Sequence, residues 1–123
     1  MTWCVYLVIV LLVITKLCDV TSTLQKIAHP HGETNPIARQ MMIRVGTTKA
    51  AWIVFALALI IIGLAGEAAL KGGRIMQVPF IFAGIAISII QGAVARCNWT
   101  GKDNGITRLV RLLHSSLIKT IPR

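Results

Sequence analysis

The stretch AAWIVFALALIIIGLAG, residues 50–66, decides the architecture of this chain. Seventeen residues pass without a charged side chain, with Lys49 before them and Glu67 after. A helix needs about 20 predominantly apolar residues to cross a bilayer core. There every backbone N–H and C=O must find its partner inside the segment, so an apolar run of this length reads as a membrane-spanning helix.

Two more runs stand on either side of it. Ile75 to Ala95 is uncharged for 21 residues, and Met1 to Thr15 carries no charged side chain. The first run reaches spanning length only if its helix continues past Lys16 and Asp19. Composition agrees: 55% of residues are apolar and 14% charged, against roughly 45–50% and 25% in soluble domains. The chain is therefore read as one all-α membrane domain, with three transmembrane helices over about 2–26, 49–70 and 75–96. A cleaved signal peptide is the rival reading of Val5 to Ile14. It is set aside because no basic n-region precedes the stretch and no A-x-A-like site follows.

The connections carry structure of their own. His29-Pro30-His31-Gly32 signals a turn, and Asn35-Pro36 reads as an N-cap followed by proline at the first helical position. A short helix over 36–45, with Ile37, Met41 and Val45 on one side and Gly46 at its end, is expected to lie along or dip into the inner membrane surface. Gly72-Gly73 makes the tight turn between the second and third spans, and Glu67 and Lys71 form an i, i+4 pair beside it. Pro79 falls in or near the first turn of the third span. After Thr100-Gly101-Lys102-Asp103-Asn104-Gly105, residues 106–121 form a basic amphipathic helix. Ile106, Leu109, Val110, Leu113 and Leu117 fall on one face; Arg108, Arg111, His114, Ser115 and Lys119 fall on the other. Such a helix directly after a span suits anionic headgroups, with Arg108, Arg111 and Lys119 as the contacts, or a neighbouring subunit.

The formal charge of +9 is distributed by topology, not gathered as a nucleic-acid patch. Lys26, Arg39, Arg44 and Lys49 lie in the first connection, and six basic residues lie from Arg96 to Arg123. Only Lys71 and Arg74 occupy the second connection. The positive-inside rule then puts the N-terminus outside and the basic tail in the cytoplasm, in a bacterial inner membrane. The partners implied are membrane lipids, anionic headgroups at the cytoplasmic face, and other subunits or a second copy; no nucleic acid is implied.

Cys4, Cys18 and Cys97 show neither zinc spacing nor a disulfide framework, and Asn98-Trp99-Thr100 is read as a chance sequon on the cytoplasmic side. The polar residues near the spans are few. Lys16, Asp19, Thr23 and Lys26 are spaced 3, 4 and 3 along helix one, with Thr15 and Ser22 beside them, and this stripe cannot face lipid tails. Asp19 could pair with Lys16 on its own helix, or with Lys49 or Arg44. The orientation brings Asp19, Glu33 and Lys49 to one membrane face. His29, His31 and Glu33 are a possible metal set, although solvated histidines in a turn explain the pattern better. Gln77 and Gln91 read as hydrogen-bonding glue between helices, and Gly84, Ser88 and Gly92 as a small-residue stripe for close helix packing. No enzyme motif is present and no cofactor is implied.

Asp19-Val-Thr-Ser-Thr23, then Gly32-Glu33-Thr-Asn35-Pro36-Ile-Ala-Arg39, then Lys49 entering the second span, resembles a family of small bacterial and archaeal membrane proteins of unknown function. The resemblance covers roughly residues 5 to 66. It implies no reaction; it implies that Asp19, Thr23, Glu33, Asn35 and Lys49 form one polar cluster at the inner face. The function expected is that of a non-catalytic membrane subunit or accessory protein. A holin-like permeabilising protein and a small transporter or metal-handling protein are the alternatives.

Overall fold

In the computed structural model of this protein, residues 1–26, 36–102 and 104–120 are described, with all their side chains except those of 114 and 117–120. Five helices account for them: α1 Thr2–Lys26, α2 Pro36–Val45, α3 Thr47–Lys71, α4 Gly73–Thr100 and α5 Gly105–Thr120. Helices α1, α3 and α4 are long and apolar enough to cross a membrane. Their Val and Ile content, a mild handicap for a helix in water, is no obstacle where the backbone has no alternative partner.

α1 is the central element, packing mainly on α4 and next on α3, while α2 lies against α3. Three contacts give the register of the main interface. Val8 sits where a Cβ on Gly84 would be, Thr15 reaches Gln91, and Ser22 reaches Asn98. Each pair is 76 positions apart, so α1 and α4 run parallel, and the pairs recur every seven residues. A seven-residue recurrence keeps two helices facing each other through a slight left-handed supercoil. The α1 seam is Val5, Val8, Leu12, Thr15, Asp19, Ser22 and Lys26; on α4 it is Gln77, Ile81, Gly84, Ser88, Gln91, Ala95 and Asn98. Both follow alternating steps of three and four.

The tight Gly72-Gly73 turn sets α3 antiparallel to α4 and so to α1, and Ile9 packs on Gly66. The four buried residues of α3, Ala50, Ala51, Gly66 and Ala69, are all small, which lets its backbone approach closely. Counting along the helices from these contacts places Trp52 and Trp99 level with Thr23. Trp3, stacked obliquely near Tyr6 with centroids 6.4 Å apart, marks the opposite end. The 20 residues from Trp3 to Thr23 rise about 30 Å, the thickness of a bilayer's hydrocarbon core. All three tryptophans are exposed, as interfacial aromatic anchors should be.

Glycine makes the sharp joints. Gly46 alone separates α2 from α3, with φ 93° and ψ 150°, a region only glycine occupies freely. Gly73 (φ 64°) turns α3 into α4. Gly101, in the left-handed conformation, ends α4 and donates its N–H to the Cys97 carbonyl at 2.9 Å, a common helix stop.

Several boundaries differ from those expected from the sequence. α4 starts two residues earlier than 75 and runs four beyond 96, because Asn98 is held by α1 and Gly101 supplies the stop. Pro79 is therefore the seventh residue of α4, where its missing N–H leaves the Ile75 carbonyl without that partner. In α2 it is Met42 that is buried, while Ile37 and Val45 are exposed. With one residue between the helices, α2 is drawn against the start of α3 and covers Met42, one turn before the joint.

Candidate functional site

The seam between α1 and α4 changes character along its length. Near the Gly72-Gly73 hairpin it is apolar, with Val5, Val8 and Leu12 buried against α4. From Thr15 onward it is polar, and this half holds the chain's candidate site.

Thr15 Oγ1 lies 2.8 Å from Gln91 Oε1, 2.9 Å from the Leu11 carbonyl and 3.3 Å from the Leu12 carbonyl, three acceptors for one hydroxyl proton. Lys16 Nζ donates to Asp19 Oδ2 at 2.8 Å. The two side chains are 16% and 18% exposed, and the register puts Asp19 opposite Ala95, whose small side chain leaves room for the pair. Ser22 Oγ donates to the Asp19 carbonyl at 2.9 Å and accepts from Asn98 Nδ2 at 3.3 Å. Asn98 also approaches Thr23 Oγ1 at 3.4 Å, and its Oδ1 accepts from Lys26 Nζ at 3.3 Å. The Asn98 amide thus uses both its donor and its acceptor side to hold the last turn of α1.

Asp19 and Thr23 therefore lie along one polar seam. Lys49 is exposed and forms no ion pair among the described residues. The antiparallel register sets it level with Lys26, seven residues or about 10 Å along the axis from Asp19. Glu33 and Asn35 lie outside the described residues, as do the metal candidates His29 and His31. Asp19 takes the partner on its own helix.

No family model matches this chain, and no curated protein and no solved structure matches it. The resemblance over residues 5 to 66 therefore rests on those residues alone.

The small-residue stripe of α4 divides. Gly84 faces α1, where an added Cβ would meet Val8 Cγ1 and stand 3.3 Å from Leu12 Cδ1. Ser88 is buried on the same face, and its Oγ has no hydrogen-bond partner. Gly92 has nothing within 4 Å of an added Cβ. Each four-residue step advances about 40° around a helix, so Gly92 stands about 80° away from Gly84. Gln91 and Ala95 continue the seam in its place. Gln77 is buried near the hairpin end.

Two polar residues that the sequence did not single out prove central. Asn98, read as part of a chance sequon, ties α4 to α1. Asn104 ties α5 to α4: its Nδ2 donates to the Ala93 carbonyl at 2.7 Å. It also caps α5, since Oδ1 accepts from the Thr107 N–H at 2.9 Å while Thr107 Oγ1 accepts from the Asn104 N–H at 3.1 Å. This is the reciprocal logic of a capping box with Thr in the place of Glu. Arg108 and Arg111 are exposed on α5, and the side chain of Lys119 lies outside those described.

Proposed function

We propose that this protein is a non-catalytic membrane subunit, a scaffold that packs through its apolar faces against a second copy or a larger membrane complex. The observation that carries this reading is how the intramembrane polar groups are used. Thr15 with Gln91, and Ser22 and Lys26 with Asn98, bond across α1 and α4 and hold the two helices in register, while Lys16 and Asp19 neutralise each other on α1. Gene-encoded polarity at membrane depth is costly and is kept where it does work; here that work is alignment. α3 supports the same reading. It buries only four small residues and presents Trp52, Ile53, Leu57, Ile60 and Leu64 outward, an apolar face free to meet another transmembrane helix.

The membrane proposed is the bacterial cytoplasmic membrane, with the Gly72-Gly73 hairpin outside and α5 in the cytoplasm, on the strength of the basic residues gathered at the α5 end. A reporter active only outside the cytoplasm should work at the hairpin and stay silent at the C-terminus; the reverse pattern overturns the orientation. Purification in mild detergent, followed by mass measurement of the particle and identification of co-eluting chains, tests the function. An oligomer or a stoichiometric partner supports the subunit. A monomer with no partner, or abrupt lysis of the host on induction, overturns it, the lysis in favour of the permeabilising alternative.

A further inference from the structure

We propose that α5 is a preformed docking helix for the anionic lipid leaflet at its own end of the membrane. The inference goes beyond the subunit reading and does not depend on it.

The first observation is an uncovered apolar face. From Gly105 to Ser116, Thr107 is the one buried residue among the described side chains. Ile106, Leu109, Val110 and Leu113 share one face of the helix, and Leu109 and Leu113 are each 58% exposed. α5 thus meets α4 by the side that carries Thr107 and leaves its apolar face open.

The second observation is depth. Four residues, 101–104, join α4 to α5, a reach of about 14 Å at most. The Asn104 bond to the Ala93 carbonyl shortens it further. Ala93 lies six residues before Trp99, about 9 Å nearer the midplane. The start of α5 is therefore drawn back inside the level of the Trp99 anchor, toward the boundary between headgroups and acyl chains where interfacial helices rest. A face made of Ile, Leu and Val at that depth meets lipid before it can meet a soluble partner.

The third observation is charge. α5 contains no acidic residue and carries Arg108 and Arg111 on its polar side. Arg96, Lys102 and Arg108 are exposed and have no ion pair among the described residues. Cations flanking an apolar face at headgroup level select anionic over zwitterionic lipid. The cap formed by Asn104 and Thr107 means that the helix is nucleated before it docks, so lipid need not pay for the first turn.

The test uses the full-length protein with Cys4→Ser, Cys18→Ser and Cys97→Ala, carrying one polarity-sensitive label at Leu113→Cys or at Ser115→Cys. It is reconstituted at low protein density in vesicles of phosphatidylcholine, with or without phosphatidylglycerol. Lipids brominated near the glycerol end of the chain should quench the Leu113 label at least twofold more than the Ser115 label. Phosphatidylglycerol should strengthen that quenching, and Arg108→Gln should remove about a fivefold share of the anionic preference, one surface charge's worth. The labelled proteins must remain monodisperse, and Ser115→Cys serves as the folded control on the same helix. Equal quenching at both positions, or free access of aqueous iodide to Leu113→Cys, overturns the proposal. So does lipid contact that ignores phosphatidylglycerol. Shielding of Leu113→Cys from both quenchers overturns it as well, in favour of a second copy if it follows protein density and of the protein's own helices if it does not.

Discussion

Asn98 of α4 donates from Nδ2 to Ser22 Oγ of α1 across 3.3 Å, while its Oδ1 accepts from Lys26 Nζ on the same helix. One amide thereby joins the end of the first spanning helix to the end of the last, 76 residues on. It sits level with the tryptophan anchors, where water begins to compete for hydrogen bonds.

Replacing Asn98 with Ala removes this tie and should lower stability by about 1 kcal/mol, in line with single interhelical hydrogen bonds in membranes. Thr23→Ala, which loses only the 3.4 Å contact, should cost markedly less. Reversible unfolding in mixed micelles with rising dodecyl sulfate measures both, and equal losses would show that Asn98 does not hold the helices together.

Asp19 pairs with Lys16 three residues earlier, not with Lys49. Asp19→Ala leaves an unpaired ammonium at membrane depth and should reduce folded yield, a penalty of about 2 kcal/mol. Adding Lys16→Ala should restore most of the loss, whereas adding Lys49→Ala should restore none. Recovery with Lys49→Ala instead would mean that Asp19 pairs across to α3.

Gly84→Ala places a methyl against Val8 and should destabilise by about 1–3 kcal/mol, the usual range for overpacking. Val8→Ala in the same chain should return part of that loss by clearing the space. Gly92→Ala, with open space around it, should be neutral or slightly stabilising, since Ala is the better helix former. The three variants can be ranked by thermal aggregation in detergent.

Ser88 buries an Oγ without a partner. Ser88→Ala removes an unsatisfied polar atom at nearly constant volume, so stability should hold or rise by up to about 1 kcal/mol. Ser22→Ala, on the same seam, breaks two bonds and should fall. A loss at Ser88 comparable to that at Ser22 would reveal a partner for the hydroxyl.

Gly46→Ala should cost about 1–3 kcal/mol although nothing lies within 4 Å of the added methyl, because the penalty is one of backbone conformation. Hydrogen exchange should then show loosened amides in α2 and in the first turn of α3, with α4 unchanged. Uniform loosening of the whole bundle would indicate that the joint matters to more than its neighbours.

The three spanning helices could be read from the sequence because hydrocarbon allows a single solution for an isolated apolar run of this length. α2 ends at Val45 as expected, since its stop is marked by local chemistry, the positive φ of Gly46. Local marks misled where a distant residue intervenes. α4 runs past Arg96 because Asn98 finds partners on α1, and Asn98 itself looked like half of a sequon.

What no linear pattern contained is the register. Small residues at 84, 88 and 92 and polar ones at 16, 19, 23 and 26 each suggest a face by their own spacing. Which of them meet depends on how two helices wind about each other, and a seven-residue seam selects Gln91 over Gly92 as the neighbour of α1. Hydropathy is a property of each segment against its solvent, so the sequence alone determined that three helices are long and apolar enough to cross a membrane and that the basic charges gather at one end. Register and depth are properties of pairs of segments. Only the tertiary structure decided that the polar halves of α1 and α4 face each other and that Asn104 draws α5 back toward Ala93.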